Sequence, residues 1–170
     1  QDLGERVSLV LDGGPCAVGL ESTILDLSGG EPRVLRPGGL SLDRLEAVLG
    51  SRPEVLRQAG ATESDVRAPG TLERHYAPRT LALLVPNAAA DPLGSSRVGV
   101  LSRREAPAGF AGVWRTLPQD AEGYARALYA ALRDLDDRGL ERLYLEAMPE
   151  GDDWLAVRDR LRRATARPLT

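Results

Sequence analysis

The first apolar runs of the chain have strand length. "VSLVLD", Val7 to Asp12, reads as a buried strand, and "STILDL" and "RVLR" read as two short strands joined by the Gly and Pro turn of "SGGEP", a hairpin. Leu42, Leu45, Val48 and Leu49 then share one face of a short helix, with Ser41 as its N-cap and Gly50 at its end. From about Arg52 to Pro78 the pattern dissolves, and "ATESDVRAPGTLERHYAPRT" has the Pro, Gly and polar content of an ordered loop or linker. After Leu81 a second rhythm begins: "LALLV", "RVGVL", "GVWRT" and "RLYLEAM" are strand-length runs separated by turn residues. Between the last two, Tyr124, Ala127, Leu128, Ala131, Leu132 and Leu135 recur at helical spacing, which predicts a core helix capped by Asp120 and closed by Gly139. A last helix, from about Asp153, places Trp154, Val157, Leu161 and Ala164 on one face. Strands alternating with helices predict a small parallel α/β domain.

Composition narrows the function classes. The chain has 170 residues, 42% apolar and 28% charged, enough for one full domain or two small ones. No apolar run approaches the roughly 18 residues of a membrane span, so a cytoplasmic location without a membrane partner is expected. A formal charge of -3 argues against nucleic-acid binding over the whole surface and leaves room only for local RNA contact. Cys16, the single cysteine, has no disulfide or zinc partner and is expected as a small buried apolar group. Every basic residue is arginine, which excludes a lysine Schiff base and a Walker-type phosphate loop. The opening at Gln1, running straight into strand-like sequence, suggests a chain that begins partway through a longer protein. Its first 50 residues would then expose an unpaired strand edge, and association or poor solubility is expected.

The candidate chemistry lies between residues 11 and 41. Gly13, Gly14, Gly19, Gly38 and Gly39 permit close approach of main-chain N–H groups to a ligand. Arg36, immediately before Pro37-Gly38, ends a hairpin strand where its fork can meet a phosphate or carboxylate, and Ser22 and Thr23 offer hydroxyls on the neighbouring strand. Together they suit an anionic, hydroxyl-bearing small molecule. Glu21 and Asp26 could form an acid/base or magnesium pair, but structural hydrogen bonding or strand-end solvation is the better expectation. The arginines from Arg158 to Arg167 could touch RNA; a solvated helix end, where cations offset the dipole, is the commoner reading.

Three motifs in order, "DGGPCAVGLESTILDLS", "VLRPGGLS" and "APGTLERHYAP", resemble the signature of the YrdC-like threonylcarbamoyl-adenylate synthases of the two-domain Sua type. "ALYAALRDLDDRGLERLYLEAMPEG" and "DRLRRATAR" look like the end of that family's smaller α/β domain. The resemblance implies an α/β chain in three parts: residues 1–57 as the C-terminal part of a YrdC-like twisted sheet domain, 58–80 as a linker or lid, and 81–170 as a small Rossmann-like parallel domain. It implies conversion of ATP, L-threonine and bicarbonate to threonylcarbamoyl-AMP and pyrophosphate, with magnesium accompanying the nucleotide and no protein-bound metal. The product would pass to transferase proteins that modify the adenosine beside a tRNA anticodon. Carried over by motif, Ser22 and Thr23 would contact threonine, Arg36 would act catalytically on the nucleotide phosphates, and His75 and Tyr76 of the lid would contact the nucleotide. The family's lysine and arginine pair, its early threonine-binding residues and its Ser-Ala-Asn segment would precede Gln1, which implies an incomplete enzyme. Thr71-Leu72-Glu73 departs from the family's usual Met, basic residue and Tyr, and Gly151-Asp152-Asp153-Trp154 replaces a more glycine-rich turn. The alternatives are a non-catalytic nucleotide-binding or interaction module derived from the family, and an unrelated α/β ligand-binding protein.

Overall fold

A computed structural model describes residues 6–14, 16–56, 77–89 and 96–166. The hairpin forms as expected: β1 (Ile24–Asp26) pairs antiparallel with β2 (Arg33–Arg36), Leu25 opposite Val34. Asp26 Oδ1 turns the chain by accepting from the Ser28 N–H at 2.9 Å and the Ser28 hydroxyl at 2.6 Å. α1 (Leu42–Leu49) starts at Ser41, whose hydroxyl accepts from the Arg44 N–H, and stops at Gly50, whose positive φ lets its N–H return to Glu46. Leu42 and Leu45 bury against Val34, whereas Val48 is 85% exposed. Val48 lies about a quarter turn off the line of Leu42, Leu45 and Leu49, and the narrow sheet beneath does not reach it.

Two expectations fail here, for one reason. Glu54–Val55, inside the stretch from about Arg52 where the apolar pattern dissolves, forms β3 parallel to β2 and completes a three-stranded sheet, β1-β2-β3. Val7–Asp12, read as a buried strand, is irregular, with Leu9, Val10 and Leu11 exposed. Among the described residues no strand pairs with it, and an apolar run without a sheet neighbour has neither ladder bonds nor a layer to bury against. Cys16 is likewise exposed rather than buried.

The second half builds the expected parallel sheet. β4 (Leu81–Val85), β5 (Val98–Ser102), β6 (Val113–Thr116) and β7 (Arg142–Glu146) lie in the order β4-β7-β5-β6, all parallel. β5 is buried along its whole length, as a parallel strand covered on both faces requires. α2 (Ala121–Asp136) is capped by Asp120, whose carboxylate accepts from the Gly123 N–H at 2.7 Å, and Gly139 takes its positive φ just beyond the end. Tyr124, Leu128 and Leu135 have no exposed surface, so the predicted stripe is core. A 3-10 turn (Asp152–Trp154) leads into α3 (Leu155–Thr165), with Val157, Leu161 and Ala164 buried as expected. At the C-terminal ends of β5 and β7, buried Glu146 accepts from the Ser102 hydroxyl and pairs with Arg104 at 3.2 Å. No helix among the described residues is long and apolar enough to cross a membrane.

The two sheets are stitched together by apolar and charged contacts. Leu20 packs on the large core, and Leu155, at the start of α3, packs on the small core of Val34, Leu42 and Leu45. Arg52 joins Asp43 at 2.9 Å, Glu46 at 2.7 Å and Asp152. These ties bring Leu20 and the small core around Val34 against α2 and α3.

Candidate functional site

The segment Val18–Thr23 threads between the Pro37–Leu40 turn and α2, and two glycines let it pass. A Cβ on Gly19, which has a φ of 73°, would stand 2.3 Å from Arg126 Cα, and one on Gly38 would stand 2.3 Å from the Glu21 carbonyl oxygen. The Thr23 hydroxyl donates to the Leu40 carbonyl at 2.9 Å and accepts from the Leu40 N–H at 3.0 Å. Glu21–Thr23 and Pro37–Leu40 therefore run side by side as one unit.

That unit joins Arg36 to Ser22. Arg36, at the end of β2, is only 8% exposed, and its guanidinium donates to the Ser22 carbonyl from Nε at 3.1 Å and from Nη2 at 2.9 Å, and to the Ser22 hydroxyl at 3.2 Å. Ser22 itself is exposed. Thr23 lies beside it, with its hydroxyl hydrogen spent on Leu40. His75 and Tyr76 lie outside the described residues. Ala77, the next residue along, lines a cavity of about 730 Å³ together with Cys16, Glu21 and Tyr129. The chain is anchored there by Asp136 of α2, which accepts from the N–H groups of Arg79 at 3.0 Å and Thr80 at 2.8 Å. Burial pushes the Asp136 carboxyl up, but these N–H groups outweigh it and hold the pKa below its ordinary value.

Glu21 is the residue whose role sequence reasoning left least defined. Its carboxylate accepts from Arg160 Nε at 2.7 Å and from the Tyr129 hydroxyl at 3.1 Å, while Arg160 Nη2 donates to the Pro37 carbonyl at 3.1 Å. Burial alone would raise the Glu21 pKa; the hydrogen bond and charge of Arg160 bring it below 4.5. Burial, and then the Glu21 charge, push the Tyr129 phenol up, so it remains a donor. Glu21 and Asp26 thus act apart, one on Arg160 and the other on Ser28. The expectation of a solvated arginine run is corrected as well: Arg160 and Arg163 are buried, and both bond Asp159, at 2.6 and 2.8 Å. A signal existed in the sequence. Arg160 follows Val157 by three residues and precedes Ala164 by four, which places it on the apolar face.

A family model described as "Threonylcarbamoyl-AMP synthase, C-terminal domain" matches residues 40–166, and one described as "Telomere recombination" matches residues 1–38. A threonylcarbamoyl-AMP synthase of Schizosaccharomyces pombe is 30% identical over 97% of this chain and 47% of its own length. The crystal structure of Pyrococcus abyssi Sua5 complexed with L-threonine superposes with a TM-score of 0.81 at 31% identity, covering 96% of this chain and 51% of that one. A variant of the P. abyssi protein, with alanine replacing a histidine and the tyrosine after it, superposes with a TM-score of 0.76 at 31% identity over 91% and 47% of the two chains. The chain spans about half the length of the curated relatives it matches.

Proposed function

The chain belongs to the threonylcarbamoyl-AMP synthase family, and from that premise we propose that it contributes the Ser22–Arg36 half of a site that makes threonylcarbamoyl-AMP from L-threonine, bicarbonate and ATP. The observation that carries this reading is the contact between the Arg36 guanidinium and Ser22, which joins an exposed hydroxyl to a cation. In the proposed site the Ser22 hydroxyl hydrogen-bonds L-threonine, and Thr23 contributes by holding the Pro37–Leu40 turn beside it. Arg36 faces the nucleotide phosphates. His75 and Tyr76 contact the nucleotide, the role that the family resemblance implies for them.

The products define the step. The threonine amine forms a bond to the carbon of bicarbonate and water is lost, giving N-carboxy-threonine; an oxygen of that carbamate then forms a bond to the α-phosphorus of ATP, the bond from that phosphorus to the bridging oxygen breaks, and pyrophosphate leaves with the electron pair. No covalent intermediate with the protein is needed, so the chain's residues position the two substrates and offset charge on the transferring group. Magnesium enters on the nucleotide phosphates. The product is a mixed anhydride, which a transferase would consume on tRNA in the cytoplasm.

Calorimetric titration with ATP, with and without saturating L-threonine and bicarbonate, tests the reading. Threonine-dependent ATP binding is expected, weakened about 10- to 100-fold in Arg36→Ala, the range for a charge-assisted hydrogen bond. Equal affinity in the variant overturns the role of Arg36. Absence of binding to the unaltered chain leaves the family membership in place and makes the chain an incomplete enzyme, whose binding needs the other half of the site.

A further inference from the structure

We propose that Arg160, on α3, is a positioning residue for the Ser22–Arg36 site. This rests on the function proposed above, and it assigns to the second α/β part a direct share in the geometry of the first. Arg160 is 4% exposed and uses its guanidinium in three directions. Nε donates to Glu21, the residue before Ser22, at 2.7 Å. Nη2 donates to the carbonyl of Pro37, the residue after Arg36, at 3.1 Å. Nη1 donates to Asp159 at 2.6 Å, and Asp159 is held in turn by Arg163 Nε at 2.8 Å. One rigid planar fork therefore spans the two segments that carry the candidate ligand groups, one residue away from each. Tyr129 of α2 donates to the same Glu21 carboxylate, so the segment is fixed from two helices.

The other cross-ties between these segments, from Thr23 to Leu40 and from Arg36 to Ser22, lie within the first part and survive loss of Arg160. Its removal frees the pair of segments from α3 without dissolving either one. A lysine keeps the charge opposite Glu21, but its single nitrogen cannot reproduce the fork across Glu21, Pro37 and Asp159. The two substitutions therefore separate charge from geometry.

The test compares the unaltered chain with Arg160→Met and Arg160→Lys by amide hydrogen exchange and by calorimetric titration with L-threonine. In Arg160→Met, exchange over residues 20–24 and 36–40 is expected to rise at least tenfold while β5 and β7 keep their protection, and threonine affinity to fall at least tenfold. Arg160→Lys should recover part of the protection near Glu21 and less of it over Gly38 to Leu40, with intermediate affinity. Unchanged exchange over both segments overturns the proposal. So does an equal rise across the four-stranded sheet, which marks a residue of general stability, and so does looser exchange with unaltered threonine affinity. If the unaltered chain takes up no threonine, the proposed function fails in this chain, and the exchange data alone decide whether Arg160 holds the segments.

Discussion

Replacing Gly38 with alanine tests whether the close passage of two backbone segments builds the site. The new Cβ would stand 2.3 Å from the Glu21 carbonyl oxygen, 2.4 Å from the Thr23 nitrogen and 2.5 Å from the Ser22 carbonyl carbon. Comfortable carbon contacts begin near 3.5 Å, so the segments must part by about 1 Å. All three obstructing atoms are backbone, and no rotamer change can clear them. The Val18–Thr23 segment cannot simply retreat, because Gly19 already lies against Arg126 on its other side. Parting the segments by that distance stretches the Arg36 to Ser22 bonds, now 2.9 and 3.1 Å, beyond hydrogen-bond range. Overpacking costs about 1–3 kcal/mol, and losing a net hydrogen bond adds about 0.5–1.5 kcal/mol. Together they amount to about 1.5–4.5 kcal/mol, or roughly one to three powers of ten in the equilibrium for opening the paired segments.

Amide exchange at Leu40, whose N–H donates to Thr23 Oγ1, reads that opening directly. Gly29→Ala is the control, since a Cβ there meets nothing within 4 Å. Gly38→Ala should accelerate exchange at Leu40 by about tenfold or more, and Gly29→Ala should leave it within about 0.5 kcal/mol of the unaltered chain. Equal exchange in the two variants would refute the reasoning, because it would mean that the segments absorb a methyl group without parting.

Two further outcomes follow from burial and charge. The folded pKa of Glu21 is depressed, so its stabilising contribution is present above 4.5 and is lost as pH falls through the folded value. The urea midpoint of the unaltered chain should accordingly fall on acidification below pH 4.5 more steeply than that of Glu21→Gln, and parallel profiles would show that the Arg160 pair contributes nothing. Leu128→Ala, at a site with no exposed surface, should cost about 2–5 kcal/mol by chemical denaturation, whereas Leu9→Ala, at an exposed site, should stay within about 0.5 kcal/mol.

What was legible in the sequence was whatever its own neighbours determine. α1 and α2 carry two independent signals each, a helical apolar period and a side-chain cap at Ser41 or Asp120, and both formed where those signals agree. The hairpin of β1 and β2 is local too, fixed by the turn at Asp26 and Ser28. β3 was missed and Val7–Asp12 was over-read because a strand is decided by its partner, and apolar content alone does not supply one. The candidate site divides in the same way. Ser22, Thr23 and Arg36 sit in short motifs that can be read directly, but nothing within the motif shows that Thr23 spends its hydroxyl on Leu40 or that Arg36 folds onto Ser22.

The supports of that site were hidden by distance along the chain. Tyr129 is 108 residues from Glu21 and Arg160 is 139 residues from it, yet both bond the same carboxylate. This separation has a physical consequence for how the chain works as a unit. The first part has a small buried core, Val34, Leu42 and Leu45, and a three-stranded sheet with such a core is marginal alone. It gains Leu155 as an apolar neighbour and Arg160 as a fork, both from α3, while Gly19 lies against α2. The Glu21 carboxylate, half-buried, would be costly without that arginine. The residues that can meet a ligand and the residues that hold them in place therefore belong to different parts of the chain, and the geometry at Ser22 and Arg36 is a property of both parts docked together rather than of the motif that contains them.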